Sequence, residues 1–117
     1  MRYLSTRGIA PELNFDDVLI TGLARDGGLY LPMDWPQFSY EDLRAFGNLS
    51  YPELAAEVMR PFLGDTITKD VFDKLVEATY GEFTHPLVAP LKQFEPNIWL
   101  MELFHGPTLA FKDYAMQ

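Results

Sequence analysis

The run Glu102-Leu103-Phe104-His105-Gly106-Pro107-Thr108-Leu109-Ala110-Phe111-Lys112-Asp113 holds the densest set of reactive side chains in the sequence. It places one lysine among apolar residues, after a Gly-Pro turn that fixes the backbone and at the entrance of an expected helix. Lysine attacks a carbonyl carbon as the free amine, and both desolvation and the positive end of a helix dipole disfavour the ammonium form. The pattern therefore permits Schiff-base chemistry at Lys112. It also describes the commoner lysine, whose stem lies on apolar surface while its head reaches water, and spacing alone leaves the two open. His105, beside the turn, suits either orienting a ligand in a pocket or a satisfied structural role.

Other chemistries find less support. His85 and His105 stand twenty residues apart without a close carboxylate at helical or zinc-finger spacing, so no metal site is expected. Asp26-Gly27-Gly28 is no dinucleotide fingerprint, because no GxGxxG follows a strand and opens a helix, and it reads as a turn. Walker, GxSxG and HExxH motifs do not occur. The acidic pairs Asp16-Asp17 and Glu41-Asp42 fall where the first turn of a helix welcomes negative charge, which weakens a general acid or base reading.

The elements that must position these groups come from a chain of 117 residues, 48% hydrophobic and 22% charged, enough for one small globular core without disulfide or metal. Seventeen acidic residues against nine basic give a formal charge of −8, the wrong sign for phosphate backbones or anionic lipid, so neither nucleic acid nor membrane is an expected partner. Cysteine is absent, apolar runs are interrupted well before the ~20 residues a bilayer requires, and MRYLSTRG lacks the apolar core of a signal peptide. A cytoplasmic location is expected.

Arg2 to Thr6 reads as a short strand closed by Arg7-Gly8. Asn14 is expected to cap a two-turn helix that buries Phe15, Val18, Leu19 and Leu23 on one face and stops at Gly22. Leu29 to Pro32 follows as a strand. Between Pro36 and Gly81 three capped helices are expected. Ser39 pairs with Asp42 in the first and Ser50 with Glu53 in the second, while Thr68 opens the third. Leu54, Ala55, Val58, Met59 and Phe62 form one core stripe, and Val71, Phe72, Leu75, Val76 and Tyr80 the other, with Gly81 as a left-handed stop. After Glu82, extended segments are expected at Leu87 to Leu91 and Ile98 to Leu103, joined by a turn at Glu95-Pro96-Asn97. Leu109 to Gln117 starts a helix, with Asp113 near its first turn, but carries no stop signal, so the chain is expected to break off in mid-element.

Four runs, spread in order over the whole chain, resemble threonine synthase: Tyr3-Leu4-Ser5-Thr6-Arg7-Gly8, Gly22 to Pro32, His85-Pro86-Leu87 leading to Pro90-Leu91, and Glu102 to Asp113. That family uses pyridoxal 5'-phosphate to convert O-phospho-L-homoserine and water into L-threonine and phosphate. The resemblance implies that Lys112 carries the cofactor on its amine and then moves protons at the substrate's α and β carbons; His105, Thr108 and Phe111 stand close enough in sequence to shape that pocket, with no individual role carried over to them. It implies an α+β fold: residues 1–82 as a small, mostly helical N-terminal domain with short strands, and residues 83–117 as the first strands of an α/β cofactor domain like that of the tryptophan synthase β subunit. The glycine-rich phosphate loop expected downstream is missing, so activity is expected only in a longer chain. The alternative is a non-catalytic fragment or interaction module, and in either case exposed segments 98–104 and 109–116 are expected to self-associate.

Overall fold

The computed structural model describes every residue from Met1 to Gln117, and its architecture is mixed α and β, as expected. Three short strands, β1 (Arg2–Ser5), β2 (Leu13–Asn14) and β3 (Tyr30–Pro32), form an antiparallel sheet in the order β2-β1-β3. In β1, Tyr3 and Ser5 point inward and Arg2 and Leu4 outward, the two-residue alternation of a sheet with one packed face. Tyr3 stands opposite Leu13 on one side and Pro32 on the other. Its hydroxyl donates to the Phe62 carbonyl at 2.7 Å, so the first strand is tied to a helix far along the chain.

The Asp26-Gly27-Gly28 segment is more than a turn. The Asp26 carboxylate accepts from Ser5 Oγ at 2.8 Å and from the backbone N–H groups of Ile9 at 3.1 Å, Ala10 at 2.8 Å and Gly28 at 2.9 Å. Loss of hydration pushes this carboxyl up, but the bonds from Ser5, Gly28, Ala10 and Ile9 together overrule it and hold it well below the usual carboxylate range. A carboxyl whose folded pKa is depressed stabilises the fold above its unfolded pKa of about 3.9, and the contribution is lost as pH falls toward the folded value. Asp26→Asn is therefore expected to lower the thermal midpoint at pH 7 and to flatten its fall below about pH 4. Thermal unfolding followed by circular dichroism from pH 7 to pH 3 checks this, and superimposable parent and variant curves would count against the Asp26 hub.

Four helices follow the cap residues closely. Asn14 Oδ1 accepts from Asp17 N at the start of α1 (Phe15–Thr21). Ser39 and Asp42 form a reciprocal capping box on α2 (Tyr40–Phe46). The Glu53 carboxylate takes Ser50 N at 2.8 Å and Ser50 Oγ at 2.6 Å at the head of α3 (Tyr51–Leu63). Thr68 precedes α4 (Lys69–Gly81) but makes no side-chain cap bond. Helices α3 and α4 pack together over Ala56, Leu63, Phe72 and Val76, with Phe15, Ala55, Met59, Ile67 and Tyr80 closing the cluster. Asp73 on α4 joins Arg60 at 2.7 Å and Lys69 at 2.5 Å along its rim.

Several details depart from the sequence reading. The stop after α3 is left-handed at Gly64, φ 62°, but Gly81 is helical and the chain leaves α4 through Glu82 at φ −78°, where Phe83 N reaches back to the Tyr80 carbonyl. No residue of α1 is fully buried, with Leu19 67% exposed, and Val71 and Leu75 also lie on solvent because the α3–α4 contact uses only the inner half of each stripe. The first expected extended segment begins four residues later than Leu87, as β4 (Leu91–Glu95). Pro86 and Pro90 cannot donate to a ladder, and residues 85–90 instead make tight turns, with Val88 N bonded to the His85 carbonyl and Val88 itself at φ 54°.

Strand β4 pairs antiparallel with β5 (Ile98–Met101) across the Pro96-Asn97 turn, where Asn97 supplies the positive φ of 65°, and a bulge lies between Gln93 and Glu95. Strand β5 ends at Met101, two residues before the expected Leu103. Every residue of this hairpin is exposed. The last helix, α5, is confined to Asp113–Met116, because Leu109 at φ 61° and the turn at 110–113 occupy the segment expected to be helical. No helix is long and apolar enough to cross a membrane.

Candidate functional site

The Lys112 segment is a doubly anchored turn. At its entrance the His105 carbonyl accepts both Thr84 N at 2.9 Å and Thr84 Oγ1 at 3.2 Å, which fastens the run to the chain just after α4. The His105 Nε2 atom lies 2.8 Å from Glu102 Oε2, with both side chains largely buried. Glu102 is therefore the close carboxylate that the reading by spacing overlooked, although it stands three residues before the histidine. The twenty residues between the histidines likewise close up in space, for the His85 and His105 rings lie 4.8 Å apart and Phe104 packs 4.6 Å from His105. His85 Nδ1 accepts from Leu87 N at 3.1 Å. His105 thus combines a satisfied ring nitrogen with a place beside the turn.

At the exit, Asp113, expected only near the first turn of a helix, turns its carboxylate back to Thr108 rather than to the N–H groups of α5. Its side chain is 3% exposed and clamps Thr108 through Thr108 N to Oδ2 at 2.8 Å and Thr108 Oγ1 to Oδ1 at 2.6 Å, with Gln117 Nε2 at 3.3 Å. The bond from the Thr108 hydroxyl does most to hold this carboxyl below its usual value, against the opposing effect of burial. Gly106 makes the clamp sterically possible. A Cβ there would lie 2.5 Å from Asp113 Cβ and 2.8 Å from its Cγ. Between the anchors Leu109 takes φ 61°, a costly backbone for a bulky residue that persists only where its surroundings over-determine it.

Lys112 sits at the N-cap of α5 with φ −64° and ψ −24°, and its carbonyl accepts from Ala115 and Met116 N. Its side chain is exposed, and Leu109 and Phe111 on either side are 69% and 66% exposed, so the expected apolar wrapping of the amine is not formed within these residues. A four-residue helix also contributes little dipole. Thr108 is brought to Asp113 and His105 to Glu102, whereas Phe111 meets neither. Sequence reasoning misses Glu102 and Tyr114, and it places Gly106 in a turn and Asp113 near a helix start without the Thr108 clamp that joins them. Their signals were the three-residue Glu-His spacing and the five-residue Thr-Asp spacing, both legible only once a turn is assumed.

A family model described as the threonine synthase N terminus matches residues 2–80. The chain is 57% identical over its whole length to threonine synthase of Pseudomonas aeruginosa, of which it covers 25%. It superposes on the crystal structure of PLP-bound threonine synthase from Brucella melitensis with a TM-score of 0.96 at 54% identity, covering 99% of this chain and 25% of that one. Yeast threonine synthase gives a TM-score of 0.88 at 37% identity over 96% of this chain and 23% of that one. The chain thus spans about a quarter of the length of these relatives. The capped helices, the small N-terminal sheet and the Lys112 turn are accordingly those of a chain that belongs to the threonine synthase family, of which it carries the N-terminal part.

Proposed function

We propose that this chain is the opening segment of a threonine synthase that converts O-phospho-L-homoserine and water into L-threonine and phosphate, in the cytoplasm, with activity residing in a polypeptide of its relatives' length. Residues 1–82 are the helical N-terminal domain in this reading. Residues 83–117, with the exposed hairpin of β4 and β5, open the α/β cofactor domain of tryptophan synthase β type. The observation that carries the proposal is the turn itself: an exposed primary amine at Lys112, held between the Thr84–His105 and Thr108–Asp113 anchors.

Pyridoxal 5'-phosphate requires an accessible amine to hold its aldehyde, and the side chains present fit that need. Lys112 has no ion-pair partner and stands on backbone fixed from both sides. When bound, the cofactor's ring supplies an electron sink for negative charge at the substrate's α carbon. Lys112 Nζ removes and returns protons at the α and β carbons, work that typically contributes about 10²–10⁴-fold in rate. The Asp113 clamp keeps Thr108 and the lysine backbone in one arrangement, and the Glu102–His105 pair fixes the entry to the turn. Phe111 is exposed and free to face a ligand with His105 at the pocket edge, whereas the Thr108 hydroxyl is already committed to Asp113.

Borohydride reduction of the relative-length polypeptide loaded with cofactor, followed by peptide mass mapping, is expected to place the adduct on Lys112. An adduct on another lysine overturns the assignment. The 117-residue chain by itself is expected to release no phosphate from O-phospho-L-homoserine and to elute as dimers or larger species. Exposed Leu91, Phe94, Trp99, Met101 and Phe104 give it an apolar surface with no cover of its own. Phosphate release by the short chain, or a clean monomer at high concentration on size exclusion, counts against those two statements respectively.

A further inference from the structure

We propose that Tyr114 is a positioning residue for Lys112, its hydroxyl pinning α5 to the bend at Val88 so that the lysine is presented from a fixed point; the inference rests on the reading of Lys112 given above. Helix α5 has four residues, too few to hold itself together without outside contacts. Those contacts converge on Tyr114. Its hydroxyl donates to the Val88 carbonyl at 2.7 Å and lies 3.3 Å from the Glu102 carbonyl, and its ring packs edge-on against Phe83 at 4.9 Å. Its own carbonyl accepts from the Tyr80 hydroxyl on α4 at 3.4 Å.

The far end of this pin is itself a fixed point. Val88 is 2% exposed and has φ 54°, a backbone that a β-branched residue keeps only under tight packing. The aromatic contacts continue from Phe83 to Tyr80 at 5.5 Å and from Tyr80 to Tyr51 at 5.0 Å, reaching α3. Lys112, two residues before Tyr114, is thereby referred to the helical core. Asp113 secures the turn that precedes the helix, while Tyr114 secures the helix against the rest of the molecule. The tyrosine has no contact with the lysine amine, so its effect is on where the amine stands.

The test is Tyr114→Phe in the relative-length polypeptide, which keeps the ring and removes the hydroxyl. Amide hydrogen exchange of residues 109–117 in the cofactor-free protein is expected to accelerate by roughly 2–10-fold, the factor that one net hydrogen bond sets. Exchange across α3 is expected to stay as in the parent. In the loaded protein kcat for phosphate release is expected to fall about tenfold with KM within about twofold, less than the ~10²-fold that a 1 Å misplacement costs. Both changes together support the proposal; either without the other, or acceleration spread evenly along the chain, overturns it. Should Tyr114→Phe fail to fold, Tyr80→Phe removes the donor to the Tyr114 carbonyl from a distance, and unchanged exchange at 109–117 in that variant overturns the proposal as well. Borohydride mapping on the unmutated protein tests the Lys112 assignment separately, so a misassigned lysine is distinguishable from an idle tyrosine.

Discussion

In a polypeptide of its relatives' length, Lys112→Ala is expected to abolish the visible absorption of bound pyridoxal 5'-phosphate and to lower threonine formation by about 10³-fold or more, since proton transfer alone contributes about 10²–10⁴-fold. Alanine removes the amine that would hold the cofactor and the base that would move the protons. Lys112→Arg separates charge from reactivity, because a guanidinium stays protonated and cannot serve as a free amine. The arginine variant is therefore expected to fail as completely as alanine. The surrounding turn does not depend on the lysine side chain, as its anchors run through Thr84, His105, Thr108 and Asp113. Both variants are accordingly expected to match the parent in thermal unfolding. Retention of the absorption band by the alanine variant would remove Lys112 from the mechanism.

Gly106→Ala carries the largest expected structural effect. Glycine is required here for space alone, since the added carbon would fall 2.5 Å from Asp113 Cβ, nearer than atoms of folded proteins approach. The Asp113 side chain cannot swing aside without releasing Thr108 N and Oγ1, and its Cβ moves only with the backbone of α5. Overpacking of this kind costs about 1–3 kcal/mol, and a contact with Cβ belongs at the upper end. Urea unfolding of the relative-length polypeptide is expected to show a loss of about 3 kcal/mol, with turnover lowered because Lys112 shifts along with Asp113. A midpoint that corresponds to less than about 0.5 kcal/mol would mean that the turn relaxes freely.

These effects also show which parts of the molecule could be read from residue order. Helix starts were legible because their signals are local: Asn14, Ser39 and Ser50 each find a partner within three residues, and the structure shows those bonds. The α3–α4 core was legible on α4 at Phe72 and Val76 but not at Val71 and Leu75, and on α3 the fully buried residues are Ala56 and Leu63 while the expected stripe of Leu54, Ala55, Val58, Met59 and Phe62 is only half-buried, since periodicity gives a face and not its depth. Strand β4 was misplaced because Leu87 and Val88 look like strand residues, whereas two prolines turn them into a bend that buries Val88 and leaves Leu87 exposed. Lys112 and His105 stood out by residue type and motif. The Asp113 clamp, Gly106 and Tyr114 did not, because what they do depends on distances across a turn and, for Tyr114, on the Val88 carbonyl 26 residues and the Tyr80 hydroxyl 34 residues back along the chain.

The bond from the Tyr3 hydroxyl to the Phe62 carbonyl spans 59 positions and sets an order in time. During synthesis β1 can pair with β2 and β3 once residue 32 has emerged, but the Tyr3 hydroxyl has no helix to bond until the end of α3 follows. At roughly 5–20 residues per second that wait is on the order of 3–12 s. The α3–α4 hairpin closes over neighbouring sequence and can form once Val76, further along the chain than Phe62, is free. Docking of the N-terminal sheet on α3 is therefore a late event for the earliest residues, and a nascent chain stalled before residue 62 would carry the sheet with the inward side of Tyr3 uncovered.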